Sequence, residues 1–339
     1  MSLMLTELRE TPSIYKRSIG SNAGVCRAIA DTMSINGINN IVTAARGTSH
    51  NAAIFFKQLI EQAAGIPVAH AAPYISTALK APLLYYKTLF VAISQSGRSP
   101  DTLAVLNHAT RSGAVTAALT NDILSPVAQA AGFSIDMAAG PERAVAATKT
   151  YNAELIALAL LAEAISGKTL VSKDIGEITE RAMAAFTPLE DKVLMAAKTA
   201  IILSRGLTES TAKECALKLM ECCYKFTFAS STNEFMHGPQ ALVEKGTPVI
   251  LIAPSGVFSE DFVKTAKTLA DRGAHLISFT DLKEVAEVSE ISYALPTLTG
   301  VDAALAAAPL IQLFVENLTV SSGLSPDAPR NLSKVTITS

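Results

Sequence analysis

The sequence contains its own plan twice. Arg46-Gly47 closes an apolar run and returns as Arg205-Gly206, Gly97 returns as Gly256 and Gly113 as Gly273, at offsets of 159, 159 and 160 residues. Three anchors at nearly one offset specify a duplicated unit rather than a chance match. Within each copy, short β-branched apolar runs alternate with helical patterns, the signature of parallel strands joined by crossover helices. The chain is therefore expected to be α/β, with two tandem doubly wound parallel-sheet domains related by an internal repeat. The boundary is expected near Thr187-Pro188, giving domains 1–187 and 188–339.

The first copy reads as strands over residues 40–45, 67–70, 89–93 and 114–119. Helices are expected over 52–64 and 151–167, with a short helix and loop over 77–84. Residues 3–36 read as helical, broken at Pro12. The most informative unit runs from Leu89 to Thr102. A buried strand leads into Ser94-Gln95-Ser96-Gly97, and Ser99 is placed to cap a helix with Pro100 at its first position. Such a turn presents backbone N–H groups and a positive dipole end to a phosphate. The same pattern also describes an ordinary connecting turn. There is no Walker lysine and no G-x-G-x-x-G, which points to a phosphate on a small molecule rather than a nucleotide. The second copy reads Ala253-Pro254-Ser255-Gly256 and has lost a hydroxyl, an amide and an N–H. The first copy is expected to bind the phosphate, leaving the second free for another role.

Composition closes off several classes. Apolar residues make up 49% of the 339, enough for a large core, and the net charge of −2 carries no basic block. Nothing favours nucleic acid or an anionic membrane as a partner. Cys26, Cys215, Cys222 and Cys223 form neither a C-x-x-C nor a zinc spacing, which suits a reducing, cytoplasmic setting. The first residues lack a signal-peptide apolar region. The most apolar helical stretch, 156–165, is too short to span a bilayer.

A helix expected over 209–226 has Ala212, Cys215, Leu219, Cys222 and Phe226 on its core face. Its other stripe, Glu214, Lys218, Glu221 and Lys225, is what a solvated face with i,i+4 pairs looks like. His237 precedes Gly238-Pro239 in a loop and is the histidine best placed to aim at a ligand. His70 and His275 fall in strands, His108 in a helix and His50 in the Arg46–Asn51 turn. The C-terminus has few charges and ends in an alternating, β-prone run, so it is either a frayed tail or a docking segment.

Together these stretches resemble the sugar-isomerase (SIS) phosphosugar proteins, whose domains are flavodoxin-like. The resemblance covers nearly the whole chain. It is carried by Gly47-Thr48-Ser49, Ser94-Gln95-Ser96-Gly97 with Asp101-Thr102, residues 145–149 (Val-Ala-Ala-Thr-Lys) and 216–221 (Ala-Leu-Lys-Leu-Met-Glu), His237-Gly238-Pro239, and 327–334. It is similar above all to the isomerase half of glucosamine-6-phosphate synthase and to stand-alone SIS-type glucosamine-6-phosphate deaminases. Residues 94–101 and 140–149 look more like the deaminase branch.

The resemblance implies roles residue by residue. Thr48, Ser49, Ser94, Gln95, Ser96 and Ser99 would hold the sugar phosphate beside Gly47, with Ser99 standing where the synthase has threonine. Val145 and Ala147 would line the sugar, Ala147 replacing a serine. Arg46 replaces a cysteine and would alter a contact to a sugar hydroxyl. Glu221 would shuttle a proton between C1 and C2, assisted by Lys218. His237 would open the sugar ring, reaching the site of the other subunit of a homodimer. Lys334 would form a Schiff base with an open-chain ketose. One carboxylate over two adjacent carbons, a histidine and an amine suffice for that chemistry, and no step calls for a metal or redox cofactor.

The synthase also carries a glutaminase domain with a cysteine right after the initiator methionine. Here Ser2 follows Met1 and the phosphosugar motifs begin almost at once. The expected reaction is therefore glucosamine-6-phosphate plus water to fructose-6-phosphate plus ammonia. A fructosamine-6-phosphate deglycase and a non-catalytic phosphosugar-binding regulator are the alternatives.

Overall fold

The computed structural model describes residues 1–334; the alternating run that follows Lys334 lies outside the described residues. The first sheet consists of β1 (Asn40–Ala44), β2 (Val68–His70), β3 (Thr88–Ile93), β4 (Val115–Thr120) and β5 (Phe133–Asp136). The second consists of β6 (Thr199–Ser204), β7 (Phe226–Ser231), β8 (Pro248–Ala253), β9 (His275–Thr280) and β10 (Ile291–Ala294). Every strand pair is parallel. The spatial orders are β2-β1-β3-β4-β5 and β10-β9-β8-β6-β7. Counted within its own copy, each sheet has the flavodoxin-like order 2-1-3-4-5, which reverses direction between strands 1 and 3. The duplicated α/β plan and its doubly wound sheets are as the repeat requires.

Local chemistry explains the central strands. All six residues of β3 and all six of β8 are buried, so both faces are covered and the sequence is apolar throughout but for Thr88. Each buried Leu, Ile, Val or Phe there contributes roughly 1.5–3 kcal/mol on leaving water. The edge strand β2 is three residues long, which limits the unpaired edge it exposes.

The chain forms two compact units that interleave in sequence. The first-sheet unit comprises Ser13–Glu142, Lys149–Lys173 and the chain from Ser333; the second-sheet unit comprises Met1–Pro12, Arg143–Thr148 and Asp174–Leu332. The short segment 143–148 joins the second-sheet unit through hydrogen bonds. Glu7 accepts from the backbone N–H of Arg143 (2.5 Å) and Ala144 (3.2 Å), and Val145 N–H donates to the Asp327 carbonyl (3.1 Å).

Several elements differ from the sequence reading. The N-terminal break falls at Arg9-Glu10, and Pro12 lies in the first turn of the next helix, Thr11–Ser21, where its missing N–H costs nothing. The helix expected over 77–84 is instead Pro73–Thr77. His50 lies in the first turn of the helix Gly47–Ala64. The helix Glu209–Cys223 ends at Tyr224, whose φ of 55° is left-handed, and Phe226 opens β7 as an exposed residue rather than closing the helix core. The longest apolar helix is Gly300–Ser321, not 156–165. By length and composition it could cross a membrane, yet 83% of its apolar window is buried inside the protein.

Candidate active site

In the first-sheet unit, the turns after β1 and β3 flank the point where strand order reverses, the usual ligand crevice of such sheets. Ser99 caps the helix Pro100–Arg111 as expected, its Oγ accepting from Thr102 N–H at 3.4 Å, with Pro100 at the first helical position. Gly97 is required here. Its φ is 61°, and a Cβ would lie 1.9 Å from Ser125 Oγ. Ser94 is buried, while Gln95 and Ser96 are half-buried. Among the described residues, the backbone N–H groups of Gln95 and Ser96 have no acceptor. These donors and the Ser94, Ser96 and Ser99 hydroxyls form a cradle suited to an anion.

The neighbouring turn is more committed. Ser49 is buried and its hydroxyl donates its one proton to Glu154 at 2.7 Å, a bond that holds this turn to the helix Lys149–Ser166. Gly47 and Thr48 start the helix Gly47–Ala64 at the crevice. Arg46 is exposed and its guanidinium meets Asp101, in the first turn of Pro100–Arg111, at 3.2 Å.

In the second-sheet unit, the stripe on Glu209–Cys223 is no solvated face. Lys218 and Glu214 are 1% and 2% exposed at their side chains, and Lys218 Nζ lies 3.3 Å from Glu214 and 2.5 Å from Glu221. Glu221 is 23% exposed, so the carboxylate at the end of this chain is the one that can reach a ligand. Burial works against the Lys218 charge, but the Glu214 and Glu221 carboxylates outweigh it and raise its pKa above the ordinary lysine value. Lys225 pairs away from Glu221, donating to the carbonyls of Met195 (3.2 Å) and Ala197 (2.7 Å). Burial pushes the adjacent Cys222 thiol up to about 12, which removes it as a nucleophile. His237 terminates the helix Thr232–Met236 just before Gly238-Pro239 and is exposed. Its ring has no hydrogen-bond partner among the described residues. Val145 and Ala147 are half-buried on the segment held by Glu7 and Asp327, in the same unit as Glu221.

Comparison with known proteins matches the SIS domain model at residues 34–164 and again at 193–321. The chain belongs to the SIS-domain family. It is 33% identical to the isomerizing glutamine–fructose-6-phosphate aminotransferase of Thermococcus kodakarensis over 98% of this chain and 57% of that one. It thus spans little more than half the length of the curated relatives it matches. Among solved structures, the C-terminal domain of glucosamine-fructose-6-phosphate aminotransferase from Francisella tularensis superposes with a TM-score of 0.85 at 26% identity, covering 97% of this chain and 98% of that one. A candidate phosphosugar isomerase from Silicibacter pomeroyi also gives 0.85, at 27% identity, covering 96% and 100%.

The implied site residues divide between the two compact units, with Val145 and Ala147 of the first SIS match falling in the second-sheet unit. The first-sheet unit holds Arg46, Gly47, Thr48, Ser49, Ser94, Gln95, Ser96, Ser99 and Lys334, and the second-sheet unit holds Val145, Ala147, Lys218, Glu221 and His237. Sequence reasoning missed Glu154 and Glu142. Glu154 lies 105 residues from Ser49, and Glu142 lies 192 from Lys334, whose Nζ it accepts at 2.5 Å. No local spacing announces either pair.

Proposed function

We propose that this SIS protein is an aldose–ketose isomerase/deaminase that converts glucosamine-6-phosphate and water to fructose-6-phosphate and ammonia. Residues 1–187 would supply the phosphate-binding turn and 188–339 the proton-transfer helix. The observation that carries the reading is the Lys218–Glu221 pair: a buried ammonium fixes a partly exposed carboxylate at 2.5 Å, on the helix face the family uses for proton transfer. The open donors of the Ser94–Gly97 turn support the phosphate end, and the likeness of 94–101 and 140–149 to deaminases supports the direction.

In this reading the phosphate sits on the Gln95 and Ser96 N–H groups and the Ser94, Ser96 and Ser99 hydroxyls. Thr48 contributes from the neighbouring turn, and Ser49 shapes that turn through Glu154. His237 opens the ring. Glu221 then removes the C2 proton and delivers it to C1, Lys218 holding the carboxylate in place. The resulting C2 imine takes up water and releases ammonia, so no covalent bond to Lys334 is needed in this direction.

The test is ammonia release from glucosamine-6-phosphate by the purified chain. Glu221→Gln should lower turnover about 10²–10⁴-fold. Wild-type turnover in that variant would overturn the mechanism, and amino-acid release from fructosamine-6-phosphates without ammonia from glucosamine-6-phosphate would replace it with the deglycase. The exposed ring of His237, unpartnered among the described residues, supports its donation to the other subunit of a homodimer. Mixing Glu221→Gln with His237→Ala chains should then restore activity, because one site of each mixed dimer is intact. Two inactive variants that stay inactive when mixed would return His237 to its own chain.

A further inference from the structure

The described C-terminus ends on a buried carboxylate. Glu142 has no exposed side-chain surface, whereas Lys334 is 24% exposed. Glu142 Oε1 accepts from Thr150 N–H at 3.1 Å. Its Oε2 accepts from Thr150 Oγ1 at 2.8 Å and from Lys334 Nζ at 2.5 Å. Thr150 is the second residue of the helix Lys149–Ser166, so the carboxylate satisfies an N-terminal donor of that helix and sits at its positive dipole end. The helix therefore fixes Glu142 whether or not the tail is present, and one of its oxygens faces the lysine.

We propose that Glu142 is the positioning residue for Lys334, clamping its ammonium and through it docking the C-terminal segment on the first-sheet unit. The ammonium meets a carboxylate that is fully out of water, where a charge-assisted bond is stronger than one between exposed groups, so the pair is a fixed contact rather than a lysine resting on a surface. The neighbouring residues Asn331, Leu332 and Ser333 are all exposed, whereas the Lys334 head group reaches a buried carboxylate. The clamp does not depend on the reaction. Its catalytic consequence rests on the proposed function together with the family resemblance that puts Lys334 beside the open-chain sugar, with no covalent bond required in the deaminating direction: an amine held at one point avoids the ordering cost that a free tail would add at each turnover.

The experiment is hydrogen exchange of the C-terminal peptide in the full chain, with turnover measured in parallel, for wild type, Glu142→Gln, Lys334→Met and the double variant. Glu142→Gln keeps the side-chain size and an oxygen for Thr150, so the fold is retained. Either single substitution should speed exchange of the C-terminal peptide and lower kcat, each about tenfold, with KM changed less, and the double variant should be no worse than the singles. A role confined to holding the helix would lower thermal stability without that non-additivity. Wild-type exchange in Glu142→Gln, or effects that add, would overturn the proposal. Should Glu142→Gln fail to fold, unchanged exchange in Lys334→Met, which alters only the tail, would overturn it alone. Absence of ammonia release from wild type would refute the functional reading and leave the exchange result standing.

Discussion

The two copies of the fold use the same turn in opposite ways. After β3, the Gln95 and Ser96 N–H groups point to no acceptor among the described residues, and the residue that follows β4, Asn121, turns away to bond the 139–140 backbone at 3.1 and 2.7 Å. After β8, the matching turn is closed from inside. Asp281, which stands where the first copy has Asn121, accepts from Ser255 N–H at 2.7 Å and from Ser255 Oγ at 2.6 Å. Phe258 replaces the capping Ser99, and its ring lies 4.6 Å from the Arg205 guanidinium. A carboxylate already occupies the donors that a phosphate would need. The Arg–Asp bridge between adjacent turns is retained in both copies, Arg46–Asp101 at 3.2 Å and Arg205–Asp261 at 3.3 Å. Its recurrence in the closed copy marks it as part of the scaffold. What separates the two copies is therefore whether the turn is filled, not whether it is bridged.

The sharpest way to break that comparison is at the paired glycines. Both have positive φ, 61° at Gly97 and 144° at Gly256, but only Gly97 is crowded. Gly97→Ala forces a Cβ into Ser125 and should cost roughly 2–5 kcal/mol of stability and abolish binding of inorganic phosphate. Gly256→Ala meets nothing closer than 3.9 Å and should cost about 1–2 kcal/mol with phosphate binding intact. Urea unfolding of the pair decides it, and equal losses would mean the turns are packed alike.

The next test exchanges the residue that fills one turn and spares the other. Asn121→Asp should place a carboxylate beside the open donors and weaken inorganic phosphate binding about tenfold or more, read by calorimetry. Asp281→Asn should leave phosphate binding unchanged and cost about 1–2 kcal/mol, because the charge-assisted bonds to Ser255 weaken. Unaltered phosphate affinity in Asn121→Asp would show that the first turn is not the anion site.

Why the sequence revealed the repeat but not the closure follows from where each signal lies. The repeat is written in local order: a strand, a glycine turn and a helix start recur at one offset, and the sheet order follows from the connections. Ser99 and Pro100 announce their helix because a cap is a contact within three residues. Closure of the second turn depends on Asp281, 26 residues from Ser255 and on another strand's end. The stripe Glu214, Lys218, Glu221 has the spacing of an exposed ion-pair ladder, and spacing carries no information on burial. β7 was hidden because Phe226 lies four residues after Cys222 and so continues the helix stripe. What ends the helix is the left-handed φ of Tyr224, a conformation that a tyrosine does not advertise.

The scaffold bridges should matter less than the turns. Arg46 and Asp101 are 56% and 18% exposed at their side chains, so Arg46→Met should cost under about 1 kcal/mol. Arg205→Met also loses its stack on Phe258, which adds about 0.5–1 kcal/mol. A larger loss at Arg46 than at Arg205 would reverse the assignment and make the open copy the one that needs its bridge.

The smallest effect concerns the edge strands. β2 ends on His70, whose Nδ1 lies 2.7 Å from Thr43 Oγ1, while its counterpart edge strand in the other sheet, β7, ends on Ser231 and has no titrating group there. Burial, followed by the His50 and Lys57 charges, lowers the His70 pKa from 6.5 to about 4. The folded protein then keeps His70 neutral through a range in which the unfolded chain takes up a proton. Where the unfolded state binds more protons, stability rises with pH. The contribution of His70 is thus fully present above about pH 6.5 and is lost as pH falls from there toward about 4. His70→Asn keeps a partner for Thr43 and removes the titration, so its urea midpoint should fall less steeply over that window than the wild-type midpoint. Parallel slopes for the two proteins would mean that His70 titrates alike in the folded and unfolded chains, and that the first sheet's edge is as indifferent to pH as a serine-ended one.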